Sequence, residues 1–268
     1  MKPGLKSTSK PARRASARRV SLADRNQPSG GSALQPLLAF GAHPDDIEFA
    51  CGAVIAQETR AGRAAHLVVC SRGEAGSYGN PRLRVAEAKK AAALLGATVE
   101  FLALDGDAHL EMRAAHAVKF AEIFRRVRPG IVLAPSLVEN QHPDHSRLGR
   151  LARDAARIAR YGGVKELRRH KPHAIERLFF YAVTPEAEPR DITPVLIDVS
   201  APEIISAWTE AMEAHASQVS ARNYIELQLT RARLLGARAG MGHAVALFPN
   251  EPLVFESLSQ TGCAARNF

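Results

Sequence analysis

Apolar residues in this chain come in short unbroken blocks, separated by longer stretches with helical spacing. "PLLAFGA" (Pro36–Ala42) is a continuous apolar run of strand length and predicts a strand buried on both faces. Residues 50–61 have helical composition and stop at Gly62. "AHLVVCS" (Ala65–Ser71) predicts a second strand. "PRLRVAEAKKAAALLG" (Pro81–Gly96) predicts a helix with Pro near its start and Gly at its end. "ATVEFLAL" (97–104) is a third strand. Residues 111–128 form a helix with Ala117, Phe120, Phe124 and Val127 on one face. "GIVLAPS" (Gly130–Ser136) is a fourth strand, and Ser146–Tyr161 another helix. Four repeats of strand then helix predict a parallel sheet with helices on both faces, a doubly wound, Rossmann-like α/β fold.

The pattern then changes. "IERLFFYAV" (175–183) and "PVLIDVS" (194–200) predict two more strands, and residues 202–219 and about 222–238 two helices. The strand-like "HAVALF" (243–248) and the segment "EPLVFE" (251–256) follow. This part is a C-terminal α/β elaboration of the same domain, since neither a linker nor an internal repeat separates it from the first half.

Composition supports a large core. Of 268 residues, 46% are hydrophobic and 24% charged, which argues against global disorder. The net charge is +9, but the first 32 residues hold eight Lys/Arg against one acid and so account for +7 of it. Residues 1–32 therefore read as a basic, disordered tail, and residues 33–268 as a single domain. Nucleic acid is not the expected partner despite that tail, because the body is nearly neutral. No run approaches the roughly 18 apolar residues of a membrane span, and no apolar signal-peptide stretch is present. The expectation is a soluble cytoplasmic protein that does not engage a membrane. Cys51, Cys70 and Cys263 are too few and too scattered for a disulfide framework or a cysteine zinc knuckle.

The candidate chemistry sits at strand ends. Ligands of open parallel sheets bind at the carboxyl ends of the strands. "HPDD" (His43–Asp46) follows the first strand directly, and "HPDH" (His142–His145) lies in the loop after the fourth. Together they offer three histidines and three carboxylates on one sheet edge. Two histidines and a carboxylate with an open position make a catalytic zinc set, and the same set can hold iron(II). Of two adjacent acids such as Asp45 and Asp46, one can ligate while the other faces the open position as a base. The plainer alternative is that the acids cap the following helix and the histidines are satisfied polar residues. His66, His109, His116, His170, His173, His215 and His243 lack comparable company and read as structural or exposed. "SRGEAGSYGN" (Ser71–Asn80) is either a flexible loop or a rim of the same site. GxGxxG after the first strand, GxxxxGK[ST] and GxSxG are all absent, which leaves nucleotide binding by those routes and a serine nucleophile without support.

With "AHPDDIE" and "HPDH" in this order, the sequence resembles the LmbE/PIG-L-like family of metal-dependent sugar N-deacetylases. "SRGEAG", "RLRVAEAKKAAALLG", "KPHAIERLFFY" and "NYIELQLTRARLLGARAG" also look like family segments, so the resemblance covers about residues 34–257. It is nearest to the branch that deacetylates N-acetylglucosaminyl conjugates in bacillithiol synthesis. The resemblance implies His43, Asp46 and His145 as metal ligands and Asp45 as general base. It implies His142 as the group that stabilises the oxyanion or protonates the leaving amine, with Asp144 orienting it. Arg84 and Tyr224 match substrate-contacting residues. Zinc is the implied cofactor, with Fe2+ as the alternative. An N-acetylated amino-sugar conjugate is the implied substrate, and a trimer or hexamer the implied assembly. The chain departs from the family at Ala174, where some members carry arginine, and at His243–Val245, where many have "YAE"; both touch substrate choice more than chemistry. Two other functions stay open: a conjugate amidase or other amide hydrolase on the same metal site, and a non-catalytic metal- or nucleic-acid-binding protein.

Overall fold

A computed structural model describes residues 34–139, 142–220 and 223–262; the basic segment 1–32 and Cys263 lie outside the described residues. The unit that spans Ala33–Val254 carries all the strands and α-helices described below. Phe255–Thr261 belongs to a second unit with one 3-10 turn, Leu258–Gln260.

The first half alternates β1 (Leu37–Gly41), α1 (Asp46–Arg60), β2 (Ala65–Val69), α2 (Pro81–Leu94), β3 (Thr98–Phe101), α3 (Ala114–Val127), β4 (Ile131–Pro135) and α4 (Pro143–Ile158). The second half adds β5 (Arg177–Tyr181), β6 (Val195–Asp198), α5 (Pro202–Glu213), α6 (Ala216–Val219), α7 (Tyr224–Ala239) and β7 (Ala244–Pro249). The strands form a seven-stranded sheet in the order β3-β2-β1-β4-β5-β7-β6. β1 to β5 run parallel, whereas β7 is antiparallel to both β5 and β6. The doubly wound, mostly parallel α/β architecture with a C-terminal elaboration is thus the observed fold.

Strand periodicity divides the core. Leu37 and Ala39 face one side of the sheet, with Val54, Ile55, Ala91, Leu95 and Trp208. Leu38 and Phe40 face the other, with Phe120, Phe124, Leu148 and Leu151. Burying each Leu or Phe side chain contributes about 1.5–3 kcal/mol, which is why a strand apolar on both faces is stable only between two helix layers. The pairing register aligns the strand ends: Leu37 sits opposite Ala65 on one side and Ile131 on the other. The order reverses between β1 and β4, so the loops after these strands diverge and open a crevice at the carboxyl edge.

Three boundaries differ from the sequence pattern. α1 begins at Asp46 rather than near residue 50, and α4 at Pro143 rather than Ser146. The last residue of the first motif, Asp46, and the last three of the second, Pro143–His145, thus lie in the first helical turns. The single helix expected over 202–219 is two, broken at Ala214–His215. "EPLVFE" forms no strand; Leu253, Val254 and Phe255 are exposed.

Candidate active site

The turn after β1 is built by its own carboxylate. Asp46 Oδ2 accepts the backbone N–H groups of Ala42 (2.8 Å) and His43 (2.9 Å). Asp45 stands at the helix N-cap yet makes no capping hydrogen bond with its side chain. Neither acid therefore does what a plain cap pair would do. Asp45 also has φ 134°, a conformation strained for any residue with a Cβ and one that persists only when its surroundings hold it. Its carboxylate instead meets Arg84 at 3.1 Å.

Arg84, on α2, is almost fully buried and also donates to the Pro44 carbonyl (3.0 Å). The glycines of "SRGEAGSYGN" make room for it. A Cβ on Gly73, which has φ +74°, would lie 2.2 Å from the guanidinium, and one on Gly76 2.7 Å. The loop is thus a fitted wall around a cation. It ends at Asn80, whose Oδ1 caps α2 through the Leu83 N–H (3.0 Å).

The "HPDH" segment arrives from β4. His142 is the N-cap of α4 and Pro143 its first residue. The rings of His43 and His142 stand 4.1 Å apart between centroids, and those of His43 and His145 5.2 Å apart. His145 Nε2 lies 3.0 Å from Asp46 Oδ1, and His43 Nδ1 3.4 Å from Asp46 Oδ2. His43, Asp46 and His145 are all buried.

A carboxylate that sequence reasoning missed completes the cluster. Asp107 comes from the loop after β3, in "LDGDAHL". Its Oδ1 is 3.1 Å from His43 Nε2 and 3.5 Å from His142 Nε2. Its Oδ2 lies 3.9 Å from Arg84. Glu74 Oε2 accepts the Asp107 N–H (3.3 Å), and Asp144 Oδ2 accepts the Ala108 N–H (2.9 Å). Asp144 also stands 3.6 Å from His43 Nε2. The available signal was positional: an acid beside a glycine, at the carboxyl end of a third parallel strand.

Electrostatics sort these acids by partner. Burial, reinforced by the neighbouring Asp46 charge, pushes Asp45 up to about 6 against the pull of Arg84, His215 and His43. Burial acts the same way on Asp46, but His145 and His43 outweigh it and hold Asp46 well below the carboxylate range. Asp107 and Asp144 are likewise lowered against burial, Asp107 by His142 and His43 and Asp144 chiefly by His43. His43 is raised well above the usual histidine value, since Asp46, Asp107 and Asp144 overcome its burial. Two adjacent carboxylates with oppositely shifted affinities are what divided acid–base roles require.

The cluster lies at one end of a cavity of about 420 Å³. Tyr224 and Gln228 of α7, Val183, Thr184 and Gln218 line the rest. Tyr224 packs edge-on against Phe49 (5.6 Å between centroids). The eight residues singled out by sequence therefore meet at one crevice: seven line it, and Asp144 supports it from behind.

Donors that could hold a cation are at hand. Among the described residues, His43, His142 and His145 bring donor atoms within 4.8 Å of one another, and so do His43, Asp107, His142 and Asp144; His43 Nδ1 and His145 Nε2 also stand 3.4 and 3.0 Å from the two oxygens of Asp46. Asp107 and Asp144 lie 3.1 and 3.6 Å from the other ring nitrogen of His43, where a carboxylate would orient the ring of a ligating histidine. The residues present thus fit a divalent metal.

The chain is a doubly wound α/β protein with a buried His/Asp cluster at the switch point of its sheet. Residues 38–156 form a PIG-L family domain, matched by the family model described as GlcNAc-PI de-N-acetylase. Among curated proteins it is 31% identical over 153 residues to 4-oxalmesaconate hydratase of Pseudomonas putida, covering 53% of this chain and 59% of that one. The chain thus spans less than two thirds of that relative. It is 27% identical over 202 residues to diacetylchitobiose deacetylase of Thermococcus kodakarensis, covering 69% and 70%. Among solved structures, a conserved protein of Thermus thermophilus superposes with a TM-score of 0.75 at 30% identity, over 85% of this chain and all of that one. Among the described residues, no helix is long and apolar enough to cross a membrane.

Proposed function

We propose that the chain is a metal-dependent N-deacetylase that releases acetate from an N-acetylglucosamine-containing conjugate. The observation that carries this reading is the pairing of clustered metal donors (His43 and His145 on Asp46) with a second carboxylate, Asp45, that is half-buried beside them and poorly acidic. The family description and the deacetylase relative support it. When bound, a divalent cation, zinc or iron(II), supplies Lewis-acid polarisation of the acetamide carbonyl and makes water more acidic. Asp45 takes the proton of the attacking water as its oxygen adds to the carbonyl carbon. Arg84 holds that carboxylate in place. His142, with Asp107 and Asp144 close by, carries the proton that stabilises the oxyanion or goes to the amine nitrogen as the C–N bond breaks. Acetate and a free amino sugar leave. Tyr224 and Gln228 form the wall toward the rest of the substrate.

The hydratase relative raises a second reading, hydration of an unsaturated carboxylate. The cavity favours the first. Among the described residues lining it, Arg84 is the one Arg or Lys, and Asp45 and the Pro44 carbonyl already occupy it. Three carboxylates line the same space, which suits a neutral sugar amide better than an anion. A panel of N-acetylglucosamine conjugates, assayed for acetate release with and without chelator, decides. Chelator-sensitive acetate release supports the proposal; none, alongside turnover of an unsaturated dicarboxylate, overturns it.

A further inference from the structure

Beneath Asp45 lies an ionisable pair that the chemistry above does not use. His215 is fully buried and Glu48 is 1% exposed, with Nε2 and Oε2 3.6 Å apart. Burying two such groups is costly, so their retention calls for a reason. Their placement suggests one. Glu48 and Phe49 lie in the first turn of α1, three and four residues after Asp45. The Phe49 N–H closes the first helical turn on the Asp45 carbonyl (3.0 Å), and the Phe49 ring lies 6.1 Å from that of His215. Glu48 also anchors α1 to α5, because its carbonyl accepts the Trp208 indole N–H (2.7 Å).

His215 occupies the break between α5 and α6, where the chain turns its ring inward. The next residues tie the corner to the rim of the cavity. Glu87 of α2 accepts the Ser217 N–H (2.8 Å) and hydroxyl (2.6 Å), and Gln218, which lines the cavity, donates to the Tyr78 carbonyl (3.0 Å). The carboxylates whose fields reach His215 are Glu48, Asp45 and Glu87. The corner therefore braces α1, α2 and the glycine loop together.

We propose that Glu48 and His215 are positioning residues for Asp45: the buried pair locks the first turn of α1 against the α5–α6 corner and so holds the Asp45 carboxylate beside Arg84. The inference rests on the reading of Asp45 as the base. A strained residue relaxes unless its neighbours over-determine it, and the pair supplies that constraint through the first turn of α1. A displacement of about 1 Å in a reacting group can cost about 100-fold in rate.

The test is His215→Gln and Glu48→Gln, singly and together, in the full-length metal-loaded protein. The expected result is a kcat loss of about 100-fold for His215→Gln and about 10-fold for Glu48→Gln, with KM and bound metal within twofold. The double variant should be no slower than His215→Gln, because the two act as one unit. A kcat within threefold of the parent in both single variants, or a loss matched by lost metal, overturns the proposal. Should His215→Gln fail to fold, Glu48→Gln alone carries the kinetic test. If the parent releases no acetate, the deacetylase reading fails, and the crystal structure of Glu48→Gln decides the positioning claim separately. Asp45 relaxing to negative φ and leaving Arg84 supports it; an unchanged Asp45 overturns it.

Discussion

Gly149 sits where α4 crosses the end of β4. A Cβ there would lie 2.2 Å from the Pro135 carbonyl oxygen and 3.0 Å from Leu137 Cδ2. Close C···O contacts in proteins stop near 3.3 Å, so Gly149→Ala must move the helix and strand apart by about 1 Å. The obstacle on the strand is backbone, which cannot rotate away. His145 is four residues earlier, hence on the same helix face and about 6 Å along the axis. Moving the helix moves its imidazole away from Asp46, against ligand distances that tolerate only about 0.2 Å. Stability should change little: overpacking costs about 1–3 kcal/mol, and exchanging a mid-helix Gly for Ala returns about 1 kcal/mol. The net loss of about 0–2 kcal/mol lowers Tm by at most about 8 °C. Activity should fall further, with kcat/KM down about 100-fold and metal affinity down at least about 10-fold. Competition with a chelating dye, acetate release and thermal melting measure the three quantities. A variant that binds metal and turns over within threefold of the parent would refute the claim that the packing of α4 on β4 sets the site.

Three further outcomes follow from the same geometry. Asp45→Asn should retain metal and lose about 100- to 10,000-fold in kcat, whereas His145→Ala should lose metal as well; elemental analysis beside the acetate assay separates them. The base must be ionised to act, so kcat should fall as pH drops through the Asp45 value. That value is about 6 in the protein alone, and a bound cation lowers it further, so an acid limb above pH 6 would exclude Asp45 as its source. Gly73→Ala should act on Arg84 without touching it, since its Cβ would meet the guanidinium at 2.2 Å. Its changes in KM and kcat should parallel those of Arg84→Ala, and parent-like kinetics would show that the loop does not hold the arginine.

Much of this was legible in the sequence because it depends on local pattern. Strands apolar on both faces, separated by helices, must lie in a covered parallel sheet, and motifs that follow the first and fourth strands must share its carboxyl edge. His43, Asp45, Asp46, His142, Asp144 and His145 were readable on those grounds, and the family resemblance added Arg84 and Tyr224. Tertiary structure decided which partner each side chain meets. Asp45 and Asp46 are adjacent in sequence, yet one turns to Arg84 and the other to His43 and His145, a difference fixed by the strained backbone between them. Asp107 belongs to no motif and enters the cluster only because Glu74 and Asp144 hold its loop there. His215 looked like a stray histidine in a helix; the chain breaks at it and buries it against Glu48. Short-range pattern fixes which edge of the sheet carries the chemistry, but the pairing of charges depends on contacts between residues as much as 167 apart, as for Glu48 and His215, and spacing in the sequence does not encode these.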